Sequence, residues 1–413
     1  MHTYQSPLDL VRERSPDRPV AIVRRDAVAL AARWFQDNFK GDVLYAVKAN
    51  PSPWVLRELA ANGVTHFDVA SMPEIEAVRA HAPGATLAFM HPVKSPQAIA
   101  RAYFDHGVRT FALDSEAELT KILDATGGAT DLTLMVRLAV DAPGAAYALS
   151  GKFGVDPVDA PALLLAARRA SPDRMGVSFH VGSQCMRPSA YQAAMAQASR
   201  ALVRAGVFAD IVDVGGGFPS IYPGMSPPDL SEYVAAIDRG FNEMMVHEST
   251  ELWCEPGRAL VAESTSLLTR VELRKGESLY LNDGAYGSLF DAAHAKWPFP
   301  VRLVRAEGES AAAMRGFQFY GPTCDSIDVM PGPFRLPDDV RQGEHVEIGM
   351  LGAYGVAMAT RFNGFGEIET VIAEDAPMAS MFGIAPRSIP TARPDASTVI
   401  RLSRARGKRR RRK

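Results

Sequence analysis

Short apolar runs alternate along most of the chain with longer stretches in which apolar residues recur at the helical period. The runs predict strands at 42–48, 65–69, 86–90, 109–114, 132–139, 175–182, 209–214 and 251–255. The stretches between them predict helices at about 53–61, 73–81, 95–106, 115–125, 159–170, 188–205 and 229–248. A short segment, Pro19–Val23, and an amphipathic helix near Ala27–Phe39 come first. Regular strand–helix alternation implies an α/β fold with a parallel sheet. Eight strands over roughly 215 residues suit a closed (β/α)8 TIM-type barrel, whose usual size is about 250 residues. A doubly wound open sheet is the alternative.

Past Glu263 the pattern changes to short β-type runs, Leu267–Leu273, Ser278–Asn282, Phe317–Tyr320 and His345–Ile348, separated by turns. These predict a mostly-β C-terminal domain after the barrel. The expected organisation is a segment 1–19 packed on the β-domain, a barrel over 20–265, the β-domain over 266–375, and a loop with a basic tail over 376–413.

Composition narrows the classes. With 47% hydrophobic and 22% charged residues, the chain is that of a globular protein. No apolar run reaches the length of about 18 residues expected of a membrane-spanning helix, and the first residues lack the pattern of a signal peptide. Cys185, Cys254 and Cys324 have neither a disulfide framework's number nor metal-ligand spacing, so a cytoplasmic protein without a metal is expected. The net charge of −2 conceals a tail, Arg401–Lys413, with seven Arg and two Lys and no acid. The remainder is acidic and offers no stripe for nucleic acid, so contact with nucleic acid is not expected beyond this tail.

Chemistry gathers at the predicted strand ends. Lys48 follows the first strand, Asp68 the second, His91 the third; Arg137 and His180 close the fifth and sixth. Gly215, Gly216 and Gly217 follow the seventh, and Glu255-Pro-Gly257-Arg258 the eighth. In a barrel these ends share one face, where active sites sit. A lysine ending the apolar run Val43–Val47 is costly to desolvate, so its pKa should fall, as suits a Schiff-base amine. A side chain reaching from the strand end to solvent is the plainer reading. The glycines let amide groups approach an anion, although tight turns use them too. With Arg258 they favour a phosphorylated ligand, because barrels often bind phosphate after strands 7 and 8. Glu255 could hold a heterocyclic nitrogen protonated, and the set together describes pyridoxal 5'-phosphate binding. His180 could stack on the ring or simply hydrogen-bond at its strand end.

Six segments carry a resemblance: Tyr45-Ala-Val-Lys-Ala-Asn50, Phe179-His-Val-Gly-Ser183, Asp213-Val-Gly-Gly-Gly-Phe-Pro219, Glu255-Pro-Gly-Arg258, Gly321-Pro-Thr-Cys-Asp325 and Gly352-Ala-Tyr354. In family order over about 20–373, they resemble the pyridoxal-phosphate-dependent ornithine/diaminopimelate decarboxylases of the alanine-racemase-like fold type. The resemblance implies a head-to-tail homodimer with active sites at the interface. It implies Lys48 as the Schiff-base lysine, His180 against the ring and Glu255 on the pyridine nitrogen. Ser183, Gly217, Arg258 and Tyr354 would hold the phosphate, and Asp68, Glu74 and Arg137 would line the ring. Cys324 and Asp325 would enter from the partner subunit, with Cys324 as proton donor. Lys152 and Asp328 resemble the family's intersubunit ion pair. His91 departs from the pattern, since many relatives have Asn there.

The substrate's far end separates the relatives. Diaminopimelate enzymes share a Cys-Glu-Ser sequence, whereas this chain has Cys324-Asp325-Ser326 and a second acid, Asp291, in the loop that follows Tyr286. Asp291, Asp325 and Tyr286 are the expected substrate-binding residues, although Asp291 also suits a helix cap. Two acids without an added cation suit a bare ammonium, as in ornithine or lysine. The expected activity is decarboxylation of L-ornithine to putrescine in polyamine biosynthesis, with some lysine activity. A diaminopimelate decarboxylase and a non-catalytic regulatory relative are the alternatives.

Overall fold

The computed structural model describes residues 1–141, 144–147, 151–170 and 173–384. The basic tail lies outside the described residues. Eight parallel strands close into a barrel: Asp42–Ala46, His66–Val69, Thr86–Phe89, Thr110–Leu113, Thr133–Arg137, Arg174–Ser178, Ile211–Asp213 and Glu251–Cys254. The last pairs with the first through Trp253 beside Asp42 and Cys254 beside Val43. The open doubly wound alternative is thereby removed.

Alternation along each strand divides the core in two. Leu44, Ala88, Ala112, Met135, Ile211 and Trp253 fill the barrel interior, while Val43, Tyr45, Phe67, Phe111, Val136 and Val212 face the helices. Gly176 is one position where the interior demands glycine. A Cβ there would stand 2.3 Å from Met135 Sδ. The helices begin where the sequence supplies caps: Ser71, Ser95 and Ser115 accept the amides of Glu74, Ala98 and Glu118. Register then fixes the mouth. Ala46 stands beside Asp68, and Arg137 beside Ser178 and thence Asp213, so the strand ends form one ring.

The β-domain is built on the long strand Thr265–Lys275, which pairs antiparallel with His345–Ile348, Ser278–Leu281 and Val20–Val23. Val20–Val23, expected within the barrel, therefore belongs to this sheet. It is buried on both faces and pairs parallel with Glu369–Ala373, whose other edge takes Thr3–Tyr4. The hairpin Met314–Tyr320 and Val329–Pro337 presents the loop that contains Cys324.

A buried charge cluster joins the segment entering the barrel to this sheet. Arg24 lies 2.9 Å from Glu347 and 2.8 Å from Asp375, and Arg302 pairs with the same two acids. Burial alone would raise the Glu347 carboxyl, but Arg302 and Arg24 outweigh it and hold it at about 2. A carboxylate depressed on folding stabilises above its unfolded pKa and loses that contribution as pH falls toward its folded one. Glu347 should thus stabilise fully above about pH 4.5, with the contribution lost between there and about pH 2. Glu347→Ala, which leaves Asp375 alone to serve both arginines, should cost about 3–5 kcal/mol at pH 7 in denaturant titration and much less at pH 3. An equal cost at both pH values would show that packing, not charge, holds the joint.

Candidate active site

The first strand ends in one tight turn, Val47–Ala49, that aims Lys48 into the barrel mouth. Tyr45 donates its hydroxyl to the Asn50 carbonyl at 3.0 Å, and Asn50 donates to Gly352 at 2.8 Å, joining this turn to the β-domain. Lys48 Nζ lies 2.7 Å from Asp68 Oδ2, and 42% of the lysine side chain is accessible against 2% for the acid. Desolvation pulls the ammonium down, but Asp68, Glu255 and Tyr354 hold it above its ordinary value. The expected depression of Lys48 is therefore corrected. The ammonium is stabilised by buried acids that the strand itself does not reveal.

The two carboxylates come from two other strand ends, and a third buried acid, Asp213, interacts with Glu255. Glu255 and Asp213 are both buried, and burial with their mutual repulsion pushes Glu255 well above the carboxylate range. Burial likewise raises Asp213 to about 6, although one of its oxygens accepts the Gly215 amide at 2.8 Å. Its other oxygen is buried, and the Asp213 carboxyl interacts with that of Glu255. His180 accepts the Gly182 amide on Nδ1 at 2.9 Å, leaving Nε2 to carry the proton of the neutral ring. Burial, Arg137 and Lys48 hold its pKa at about 3. Glu74, at the first turn of its helix, accepts the Ala70 amide at 2.6 Å and is raised by burial. His91 packs edge-on against Phe153 at 5.1 Å, with the Arg137 guanidinium 5.8 Å from the same ring.

The triple glycine is a close-packed turn. Gly215 and Gly217 have φ of +67° and +103°, and a Cβ on Gly216 would stand 2.7 Å from the Glu255 carbonyl and 3.1 Å from His180 Nε2. Only glycine leaves this surface open to a bound group. Gly257 packs as closely, its Cβ position 3.1 Å from that of Ala49.

Arg258 opens the short helix Arg258–Val261 and is buried. Its guanidinium donates to Tyr222 at 3.0 Å and Ser183 at 3.4 Å, and lies 4.0 Å from the Trp297 ring and 4.8 Å from that of Tyr354. Its Nε has no partner. Tyr354 is held at φ +58°, a costly conformation for an aromatic residue, by its amide's 2.8 Å bond to the Ala49 carbonyl. Asp291, expected to stand free for substrate, instead pairs with Arg258 at 3.5 Å. A buried arginine with an unused donor, beside glycine turns and hydroxyls, fits a phosphate. Neutral His180 fits a ring face, and a proton-holding Glu255 fits a ring nitrogen. The residues present thus fit pyridoxal phosphate.

A third group stands on the β-domain surface. Tyr286 donates to Asp325 at 2.6 Å, and Cys324, exposed, reaches Asn363. Among the described residues, no hydrogen bond or ion pair joins Cys324 or Asp325 to the Lys48 cluster. Asp328 is buried and accepts from the Ala285 amide and from the amide and hydroxyl of Thr323. Lys152 is exposed, its Nζ 4.8 Å from the Phe153 ring. Within one chain Asp328 therefore orders the Tyr286 and Cys324 loops, and Lys152 is not its partner. Asp213, Tyr222, Trp297 and Asn363 were absent from the expected set. Asp213 had a signal, its place just before the triple glycine; Tyr222 and Trp297 sit in segments with no pattern of their own.

Comparison with known proteins agrees with this geometry. Residues 25–262 match the family described as pyridoxal-dependent decarboxylase, pyridoxal binding domain. The lysine/ornithine decarboxylase of Selenomonas ruminantium is 34% identical over 346 residues, 82% of this chain and 85% of that one. The arginine decarboxylase of Paramecium bursaria Chlorella virus superposes with a TM-score of 0.78 at 26% identity, over 88% of this chain and 98% of that one. The Vibrio vulnificus lysine/ornithine decarboxylase complexed with putrescine does so with a TM-score of 0.75 at 28% identity, over 90% and 99%. The chain belongs to the pyridoxal-dependent decarboxylases and is a pyridoxal-phosphate-dependent enzyme that decarboxylates basic amino acids.

Proposed function

We propose that the substrate is L-ornithine and the product putrescine, the reaction serving polyamine synthesis, with weaker activity on L-lysine. The observation behind this reading is Asp325. It lies beside Cys324, the Tyr286 hydrogen bond holds it below the usual carboxylate range, and among the described residues no cation pairs with it. An ionised acid of this kind suits a distal ammonium. Asp291, partly neutralised by Arg258, is the second acid of the pocket.

Pyridoxal phosphate, when bound, supplies the electron sink for the pair released as the carboxylate leaves. In our reading Lys48 provides the amine that holds it, with Asp68 keeping that side chain oriented at the mouth. Arg258, Ser183, Gly217 and Tyr354 would bind the phosphate, and Gly215, Gly216 and Gly257 leave room for it. His180, neutral, would cover the ring, with Arg137, Asp68 and Glu74 around it. Glu255, holding a proton at the barrel centre, would place it on the ring nitrogen, and Asp213 beside it makes that proton easier to hold. Cys324 would return a proton to the carbon that lost carbon dioxide.

Cys324 and Asp325 would serve the active site of a partner copy in a homodimer. The exposure of Cys324 supports this, as do the exposed apolar residues beside it: Ile327, and Phe362 and Phe365, which line one groove with Tyr286 and Thr323. Three free cysteines, one of them exposed, suit a reducing cytoplasm.

Three measurements test the reading. Lys48→Ala should lose nearly all turnover while keeping its fold by circular dichroism; retained turnover would remove Lys48 from the mechanism. Mixing Lys48→Ala with Cys324→Ala subunits should restore activity, because half of the mixed dimers' sites are intact. Demonstrated subunit exchange without recovery would contradict a shared site. The kcat/KM should rank ornithine above lysine by roughly 10–200-fold, the worth of one methylene. Arginine and diaminopimelate should be poorer still, and Asp325→Ala should lose the ornithine preference. A wild-type preference for diaminopimelate would overturn the pocket assignment.

A further inference from the structure

Asn363 is the residue through which the β-domain holds Cys324. Its side-chain oxygen accepts the Cys324 backbone amide at 3.2 Å and the Cys324 thiol at 3.2 Å. One amide oxygen thus fixes both ends of the cysteine, its backbone and its Sγ. The neighbours of Asn363 hold the other residues of the same surface. Phe362 packs its ring 4.8 Å from that of Tyr286, and Thr360 donates its amide and hydroxyl to the Tyr286 carbonyl at 2.8 and 3.0 Å. Tyr286 in turn donates to Asp325. The segment 360–363 therefore sets Cys324 directly and Asp325 through Tyr286.

We infer that Asn363 is a positioning residue for proton delivery, holding the Cys324 thiol, by its S–H, in the orientation from which it acts. This rests on the reading of Cys324 as the proton donor. The thiol is otherwise exposed and single-bonded to its chain, free to take any of three rotamers. A hydrogen-bond acceptor that is itself uncharged selects one of them while leaving the proton on sulfur. Asparagine is also favoured at this position for a backbone reason, since Asn363 has φ +54° and precedes Gly364 at φ +80°. The two explanations predict different behaviour. If only the backbone matters, glycine, which adopts this conformation freely, replaces Asn363 without loss. If the acceptor matters, glycine fails and aspartate reverses the chemistry, because an anion beside the sulfur opposes a second negative charge there.

The test measures iodoacetamide labelling of Cys324 in the holoenzyme at pH 7.5, by peptide mass, alongside steady-state kinetics with ornithine. Cys185 and Cys254 are buried and serve as internal references. Asn363→Gly should label about threefold faster or more, as expected for loss of one hydrogen bond. Its kcat should fall on the order of 10-fold while KM changes little, the mark of misplaced chemistry rather than weakened binding. Asn363→Asp should label more slowly than wild type. Wild-type labelling in Asn363→Gly overturns the inference, and so does faster labelling in both variants, which would signal only a loosened loop. Full turnover in Cys324→Ala would instead overturn the proton-donor reading, while the labelling rates still report whether Asn363 holds the thiol.

Discussion

The site depends on a charge imbalance enforced by closure of the barrel. Register places Asp68, Asp213 and Glu255 at neighbouring strand ends, all buried, with Lys48 and Arg137 as the cations among them. Removing acids from water is costly unless they are paired or protonated. Asp68 is paired with Lys48, whereas Glu255 and Asp213 retain protons more readily than exposed acids do. In the proposed reading a protonated ring nitrogen beside Glu255 would complete that balance, which suits this mouth to a heterocyclic cofactor. Only the closed fold brings the strand ends together, so the imbalance exists in the folded chain alone.

The β-domain contributes by holding the barrel's open end. Asn50 reaches Gly352, Tyr354 reaches Ala49, and Arg258 lies under the rings of Trp297 and Tyr354. Gly352 is glycine because a Cβ there would stand 1.7 Å from the Val261 carbonyl. The Arg24, Arg302, Glu347 and Asp375 cluster fixes the same sheet to the segment that enters the barrel. The proposed phosphate cradle would thus be made by both domains, and the proposed ring site by the barrel.

Periodicity made the barrel legible, because a strand buried on both sides and an amphipathic helix leave different patterns. All eight strands and their helices fall where the pattern puts them, with ends shifted by a few residues at most turns. The residues at strand ends were equally legible, since topology alone brings Lys48, Asp68, Arg137, His180 and Glu255 to one face. What sequence could not show is which of these groups compensate one another. Lys48 read alone is a lysine to be desolvated; with Asp68 at 2.7 Å it is a stabilised ammonium. Nor could it show that Val20–Val23 leaves the barrel for the sheet, since a short buried strand looks alike in either place. Asp291 read as a free acid because its partner, Arg258, lies far from it along the chain. Asn363 was illegible for the same reason: its contact with Cys324 spans 39 residues of unpatterned β-domain.

We propose that Lys48 is the lysine joined to pyridoxal phosphate. Borohydride reduction of the purified enzyme, followed by peptide mass analysis, tests it most directly. A phosphopyridoxyl group is expected on the peptide containing Lys48 and on no other. The same label on Lys94 or another lysine, with the Lys48 peptide unmodified, would contradict it.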